Sequence, residues 1–494
     1  MRRLAVLLGA APLWLAGPAL AQATAEGAAA LQAGLAAITA PLQAAGRDGD
    51  ARWEGSWEVE PDGAGYRVTW PAVAGTLTKG GAAGAPAIAH FRCKPDRSVA
   101  TPVSEGVYRL HSASPWDCVL EMEGGRRAFR FTSRTRSEDN LVDLTQGAFT
   151  ETSATVEGMT IAAAGDGTAP LASSSRMEMS SRGKPSGRPG RRDLVVRSTT
   201  EGMRVAGPDG TERFAASRVE SERHLFDYGH DGEVRRYLDL TRMIDLVEEQ
   251  QRDPASPKAP TQMLFSFAQM VGSYGDRIRS STTYTGYRAS VPGAPGGSFG
   301  VETLKVDIDA EGIGGDSGRG RVVVTISGLA GWAPFLGDWA PRDVTLSVAA
   351  TGVPFRSLLQ AIDSDSTPAV LPRLAGLLGQ AGSRLEIEAA QLRTAAGGAL
   401  DLHGSVRADA AAAHGVDGRA MLRLTGLAPL AAFLRSRPQT AALADRVDAV
   451  EALGRAVDLD AGGMARDYEI VLGGDPVLRV NGVDPASVLR ASQP

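Results

Sequence analysis

The 494-residue sequence is poor in the residues that most often carry chemistry. It has two cysteines, six histidines and 5% aromatic residues, and its only lysines are Lys79, Lys94, Lys184, Lys258 and Lys305. Two cysteines outside a CxxC pair cannot complete a structural zinc site on their own. A formal charge of −5, from 52 basic against 57 acidic residues, offers no basic field to draw in nucleic acid. Walker A loops and dinucleotide fingerprints are missing. After the first twenty residues no apolar run approaches the roughly 18 residues of a membrane-spanning helix. The rest is ordinary: 43% hydrophobic and 22% charged, the composition of a soluble globular chain long enough for two or three domains.

Arg2 and Arg3 precede the apolar stretch 4–17, and Ala19-Leu20-Ala21 supplies small residues for a cleavage site. This pattern predicts a signal peptide over residues 1–21 and a mature chain in the periplasm. In that oxidising compartment Cys93 and Cys118 are expected to form one disulfide, closing a loop of roughly 25 residues. Two buried free thiols are the alternative.

Leu31, Leu35, Ile38 and Leu42 recur at helical spacing and predict a helix over 25–40, its regular part limited by Pro41. From about residue 53 the period changes to two. Trp57 and Val59, then Tyr66, Val68 and Trp70, flank Pro61-Asp62-Gly63-Ala64-Gly65 and predict a hairpin. Three prolines (Pro254, Pro257, Pro260) mark 251–261 as a linker between a β-rich unit at 22–250 and another at 262–494. Helical segments are expected at 241–251, 263–270 and about 440–457. Within the second unit, Leu304/Val306/Ile308, Val322/Val324/Ile326 and Val344/Leu346/Val348 each put apolar groups on one strand face. Four junctions repeat there, at 326–336, 350–359, 424–434 and 480–489: a strand, a glycine, Leu or Val, then a short helical patch.

Fragments that imitate active sites fail in context. Gly296-Gly297-Ser298-Phe299-Gly300 opens a strand, whereas a nucleophile elbow opens a helix. Gly315-Asp316-Ser317-Gly318 reads as a hairpin turn, far in sequence from His90. Asp307, Asp309 and Glu311-Gly312 begin like a calcium loop but lack its last acidic ligand. His403 is expected on an exposed strand face. The one cluster with metal-capable residues is His224, Asp227, His230 and Asp231, more simply a turn. The cationic loop Lys184, Arg188, Arg191 and Arg192 could meet anionic headgroups, or be a solvated loop. No catalytic residue, cofactor or metal is assigned.

The segments WEGSWEVEPDGAGYRVTWP (53–71) and DYEIVLGGDPVLRVNGVDPASVL (467–489), with the strand-glycine-helix junctions, resemble exported alphaproteobacterial proteins grouped under a domain of unknown function. In style the chain is also similar to YdgA-like and, more remotely, AsmA-like envelope proteins. The resemblance implies a periplasmic, β-rich protein without established catalytic residues. The expected fold is α+β and β-dominated, with long curved antiparallel sheets and short covering helices in two sheet-rich halves. The leading functional expectation is non-enzymatic binding or carriage of a lipid or other hydrophobic molecule in an apolar groove. A scaffold for an envelope protein partner is the alternative, and a hydrolase the remote one. Oligomeric state is left open.

Overall fold

Alternating apolar and polar residues, rich in β-branched side chains and punctuated by glycine, make most of this chain strand. The computed structural model describes residues 23–48, 51–54, 56–78, 87–122, 128–163, 170–188, 191–206, 210–229, 275–290, 297–358, 376–409, 412, 415–459, 464–473 and 478–485. It is a long antiparallel sheet with a few short helices, and the sheet does not close into a barrel.

Helix α1 (Ala25–Asp48) precedes ten strands: β1 (Ala51–Glu54), β2 (Glu58–Asp62), β3 (Gly65–Thr69), β4 (Ala72–Thr78), β5 (Ala87–Cys93), β6 (Arg97–Ser104), β7 (Val107–Ser112), β8 (Asp117–Met122), β9 (Ala128–Thr132) and β10 (Thr135–Asp143). They form two arms, β2–β3–β6–β7–β10 and β1–β4–β5–β8–β9. The 16-residue β11 (Ala148–Ala163) joins the arms, pairing β10 along its first part and β9 at its end. The apolar stripe of α1, with Leu31, Leu35 and Ile38, packs on Trp57, Val68, Leu110 and Val142 of the first arm. The helix continues past Pro41 to Asp48, beyond the expected end. An interior proline removes one hydrogen-bond donor and need not stop the helix. Cys93 and Cys118 are directly opposed on β5 and β8 and form the disulfide. Arg136, 9% exposed, is bracketed by Asp96 (2.6 Å) and Glu138, with Ser112 donating to Asp96.

Beyond β11 the chain meanders, each strand pairing with the next: β12 (Ala172–Pro185), β13 (Arg191–Ala206), β14 (Glu212–Gly229), β15 (Arg277–Ser290), β16 (Ser298–Glu311), β17 (Gly318–Ser327), β18 (Pro341–Val353), β19 (Arg384–Thr394), β20 (Ala399–Ala408) and β21 (Val416–Thr425). β23 (Met464–Leu472) follows β21, and β22 (Arg455–Asp458) and β24 (Leu478–Val480) share its far edge. β14 and β15 pair from Phe214↔Ala289 to Phe226↔Arg277, so one sheet runs across the expected boundary. The Pro-rich segment 251–261 and the helical segments expected beside it lie outside the described residues.

The four repeated junctions have a common geometry. Gly328, Gly352, Gly426 and Gly482 adopt φ of 65°, 66°, 77° and 84°, a region that favours glycine. A 3-10 helix (Pro334–Trp339), a helical turn at 355–358 and α2 (Leu427–Arg435) follow the first three. Helix α3 (Ala441–Leu453) packs next, within the span expected for it.

Positive φ recurs inside the sheet as well. Gly158, Gly202, Gly286 and Gly328 lie on one line across alternate strands, with Ser175, Ser217 and Glu302 between them. Ser175 Oγ donates to the Glu201 carbonyl (2.9 Å) and Ser217 Oγ to that of Thr285 (2.7 Å), each just before a crease glycine. This crease shifts the alternation, so Tyr284 and Tyr287 fall on the same face with ring centroids 6.0 Å apart.

Candidate functional site

Alternation gives the meander two unlike faces. One is charged and laced with ion pairs: Arg321–Glu388 at 2.6 Å, Arg393–Asp401 at 2.8 Å and Arg423–Asp467 at 2.7 Å. His224 belongs here, its Nε2 2.6 Å from Glu222, which also accepts from Arg197 at 2.8 Å. Those hydrogen bonds, from Arg197 first and then His224, hold the Glu222 carboxyl down at about 2. At Asp309 burial pushes the carboxyl up, but Arg277 and Arg279 outweigh it and keep it below the ordinary range. Asp307 pairs with Lys305 at 2.9 Å. The two aspartates that resembled a calcium loop are thus ion-pair partners on a strand face.

Asp227 does separate work. With φ 56° it accepts from Ser186 (2.8 Å) and Arg188 (2.7 Å), and its carbonyl accepts from Arg191 (3.3 Å). It therefore fastens the cationic loop. Arg192 is likewise committed, donating to the carbonyls of Phe149 and Gly183. His224 and Asp227 serve different partners, while His230 and Asp231 lie outside the described residues. Among the described residues no group of three or more His, Cys, Asp or Glu could hold a metal ion. His90 pairs across to Thr76 and Glu121 in an arm of the N-terminal region, whereas Ser317 lies in the exposed turn between β16 and β17. Ser298 is the first residue of β16, and His403 is exposed.

The opposite face is apolar. One register row reads Leu304, Ile326, Val344, Leu392, Leu400 and Leu424 across β16 to β21. The next reads Val306, Val324, Leu346, Ala390, Leu402 and Leu422. In a covered core such side chains would be nearly inaccessible, yet Val322 and Leu346 are 40% exposed and Leu385 45%. Among the described residues, helices reach this face only at its ends. Tyr468, in register with Leu422, donates its hydroxyl to the Val450 carbonyl of α3 at 2.9 Å, and burial pushes its pKa up to about 12. At the other end the Phe355 ring lies over Gly318. Toward the crease the face becomes aromatic. Tyr284, Tyr287, Phe214, Phe299 and Trp332 are linked by ring contacts of 5.1 to 6.4 Å, and Trp332 is 57% exposed.

No Asp or Glu occupies the register rows of this face from β12 to β23. Arg466 is there but pairs with Glu451 of α3 at 2.9 Å. Arg223 also stands on it, in register with Val196 and Ser280. It was not among the residues singled out from the sequence, although its place two residues from Leu225 in an alternating strand was the available signal.

No family model, curated protein or solved structure matches the chain.

Proposed function

We propose that this protein binds a lipid or another hydrophobic molecule along the apolar face of β16–β21, as a non-enzymatic carrier in the periplasm. The observation behind the reading is a pair of aliphatic register rows that stay partly accessible where a core would bury them, with Leu346 of the second row and Val322 and Leu385 beside them exposed. Six strands at about 4.8 Å spacing span roughly 24 Å. An acyl chain occupying half of an approximately 30 Å hydrocarbon layer needs about 15 Å. The face is therefore long enough for one chain lying across the strands, and the aromatic stripe extends it further. An exposed apolar surface of this extent is unfavourable in water and calls for an occupant.

The test is native mass spectrometry of the mature protein purified gently from periplasm, followed by organic extraction. Near-stoichiometric lipid, lost on denaturation, is the expected result. An apo mass under conditions that preserve a known carrier's load, with crosslinking to one envelope protein through the same face, would replace the carrier with the scaffold.

A further inference from the structure

We infer that the ligand is an amphiphile with an anionic phosphate headgroup, and that Arg223 is the residue that reads it. This rests on the carrier reading above and adds the chemistry of the ligand's polar end. The apolar face is not uniform. In β13–β15 its middle rows carry hydroxyls, Ser198, Thr200, Ser221, Ser280 and Thr282, where β16–β21 carry aliphatic groups. Ser221 and Thr282 approach to 3.2 Å between hydroxyl oxygens. Arg223 stands among them, exposed, with no ion-pair or hydrogen-bond partner among the described residues.

Paired arginines of the opposite face provide the contrast. On the charged face, Arg197, Arg321, Arg393 and Arg423 each meet a carboxylate within 3 Å. On its own face the ladder rows offer no acidic residue. A guanidinium presents a planar fork of donors that fits two phosphate oxygens at once, and surrounding hydroxyls can complete the shell. The neighbouring row runs from Thr282 directly into Val306, Val324 and Leu346. A headgroup held at Arg223 would therefore place its acyl chain on the aliphatic rows, polar end on hydroxyls and apolar end on leucine and valine. Charge complementarity selects a phospholipid over an uncharged lipid.

The experiment compares two probes sharing one fluorescent acyl chain: a phosphatidylglycerol and the corresponding diacylglycerol. Both are titrated into the intact mature protein. The wild type should bind the phospholipid about tenfold or more tighter, the scale of a charge-assisted contact. Arg223→Gln should erase that preference and leave diacylglycerol affinity unchanged. Ser280→Asp, which sets a carboxylate opposite an intact Arg223, should do the same and guards against a folding defect in the first variant. Inorganic phosphate at millimolar concentration should not displace the phospholipid, because the acyl chain supplies much of the affinity. Displacement by inorganic phosphate alone would make this an anion site and overturn the assignment. Arg223→Gln with an undiminished preference would overturn it too, while leaving the carrier reading intact. Failure of the wild type to bind either probe would remove the carrier reading itself.

Discussion

Leu346 and Thr345 are adjacent in β18 and point to opposite faces, which makes them a paired test of the apolar face. Leu346 lies between Val324 and Ala390 and is 40% exposed; Thr345 lies between Thr325 and Gln391 on the charged face. Full burial of a leucine is worth about 1.5–3 kcal/mol. The fraction already buried thus contributes about 1–2 kcal/mol to folding, and the exposed fraction could add about 0.6–1.2 kcal/mol on covering by a ligand. Replacing Leu346 with Asp should cost the fold no more than that first figure, because an exposed position lets water reach the carboxylate. A ligand chain lying over it would instead have to strip water from a charge, at a cost of about 2 kcal/mol or more, or roughly thirtyfold in affinity. Thr345→Asp introduces the same charge one residue away and should leave affinity within twofold of wild type, on the order of measurement scatter. The assay is a fluorescence titration with an acyl-chain probe, paired with urea melts of both variants. Equal losses in the two variants, or wild-type binding by Leu346→Asp, would refute the idea that this face holds the ligand.

Three further outcomes follow from the packing. Gly286→Ala should destabilise by about 1–2 kcal/mol, because a Cβ at φ 60° is strained and would stand 2.7 Å from Ser217 Oγ; denaturant melts measure this, and a neutral result would show that the crease tolerates side chains. Removing the disulfide with Cys93→Ser and Cys118→Ser should cost about 3.5 kcal/mol in the chain-entropy model for a separation of 25 residues. Its signature would be unfolding of the N-terminal arms before the meander, readable by hydrogen exchange. Tyr468 has its folded pKa raised to about 12 from 10.0 by burial, so its contribution is complete below pH 10 and is lost as pH rises through 12. Tyr468→Phe should therefore flatten the fall in stability across pH 10–12, and an unchanged slope would assign that loss to another group.

The legibility of this fold in its sequence varied with how local the determining signal was. Strict alternation in Leu304–Ile308 and Val322–Ile326 identifies strands because period two is a property of a few consecutive residues. The junction glycines were readable for the same reason: Gly328, Gly352 and Gly426 each sit between a strand and a patch of helix formers, where a positive φ lets the chain turn sharply. The crease was not readable. Gly158, Gly202 and Gly286 are 44 and 84 residues apart, and only strand register places them on one line. Pairing also decides which side of a strand matters. His224 and Asp227 drew attention because their side chains are chemically versatile, yet on the sheet both are satisfied by Glu222, Ser186 and Arg188. Arg223, next to His224, attracted none in a chain with many arginines. What separates it from Arg197 is not its own chemistry but what lies opposite: Arg197 meets Glu222, whereas Arg223 faces Val196 and Ser280. Pairing across strands, more than residue chemistry, therefore decides which side chains of such a sheet are left available for a ligand. The exposed Leu346 and Arg223, which meets no carboxylate among the described residues, lie on the same face, and the anionic lipid proposed above is a molecule whose two ends would meet both.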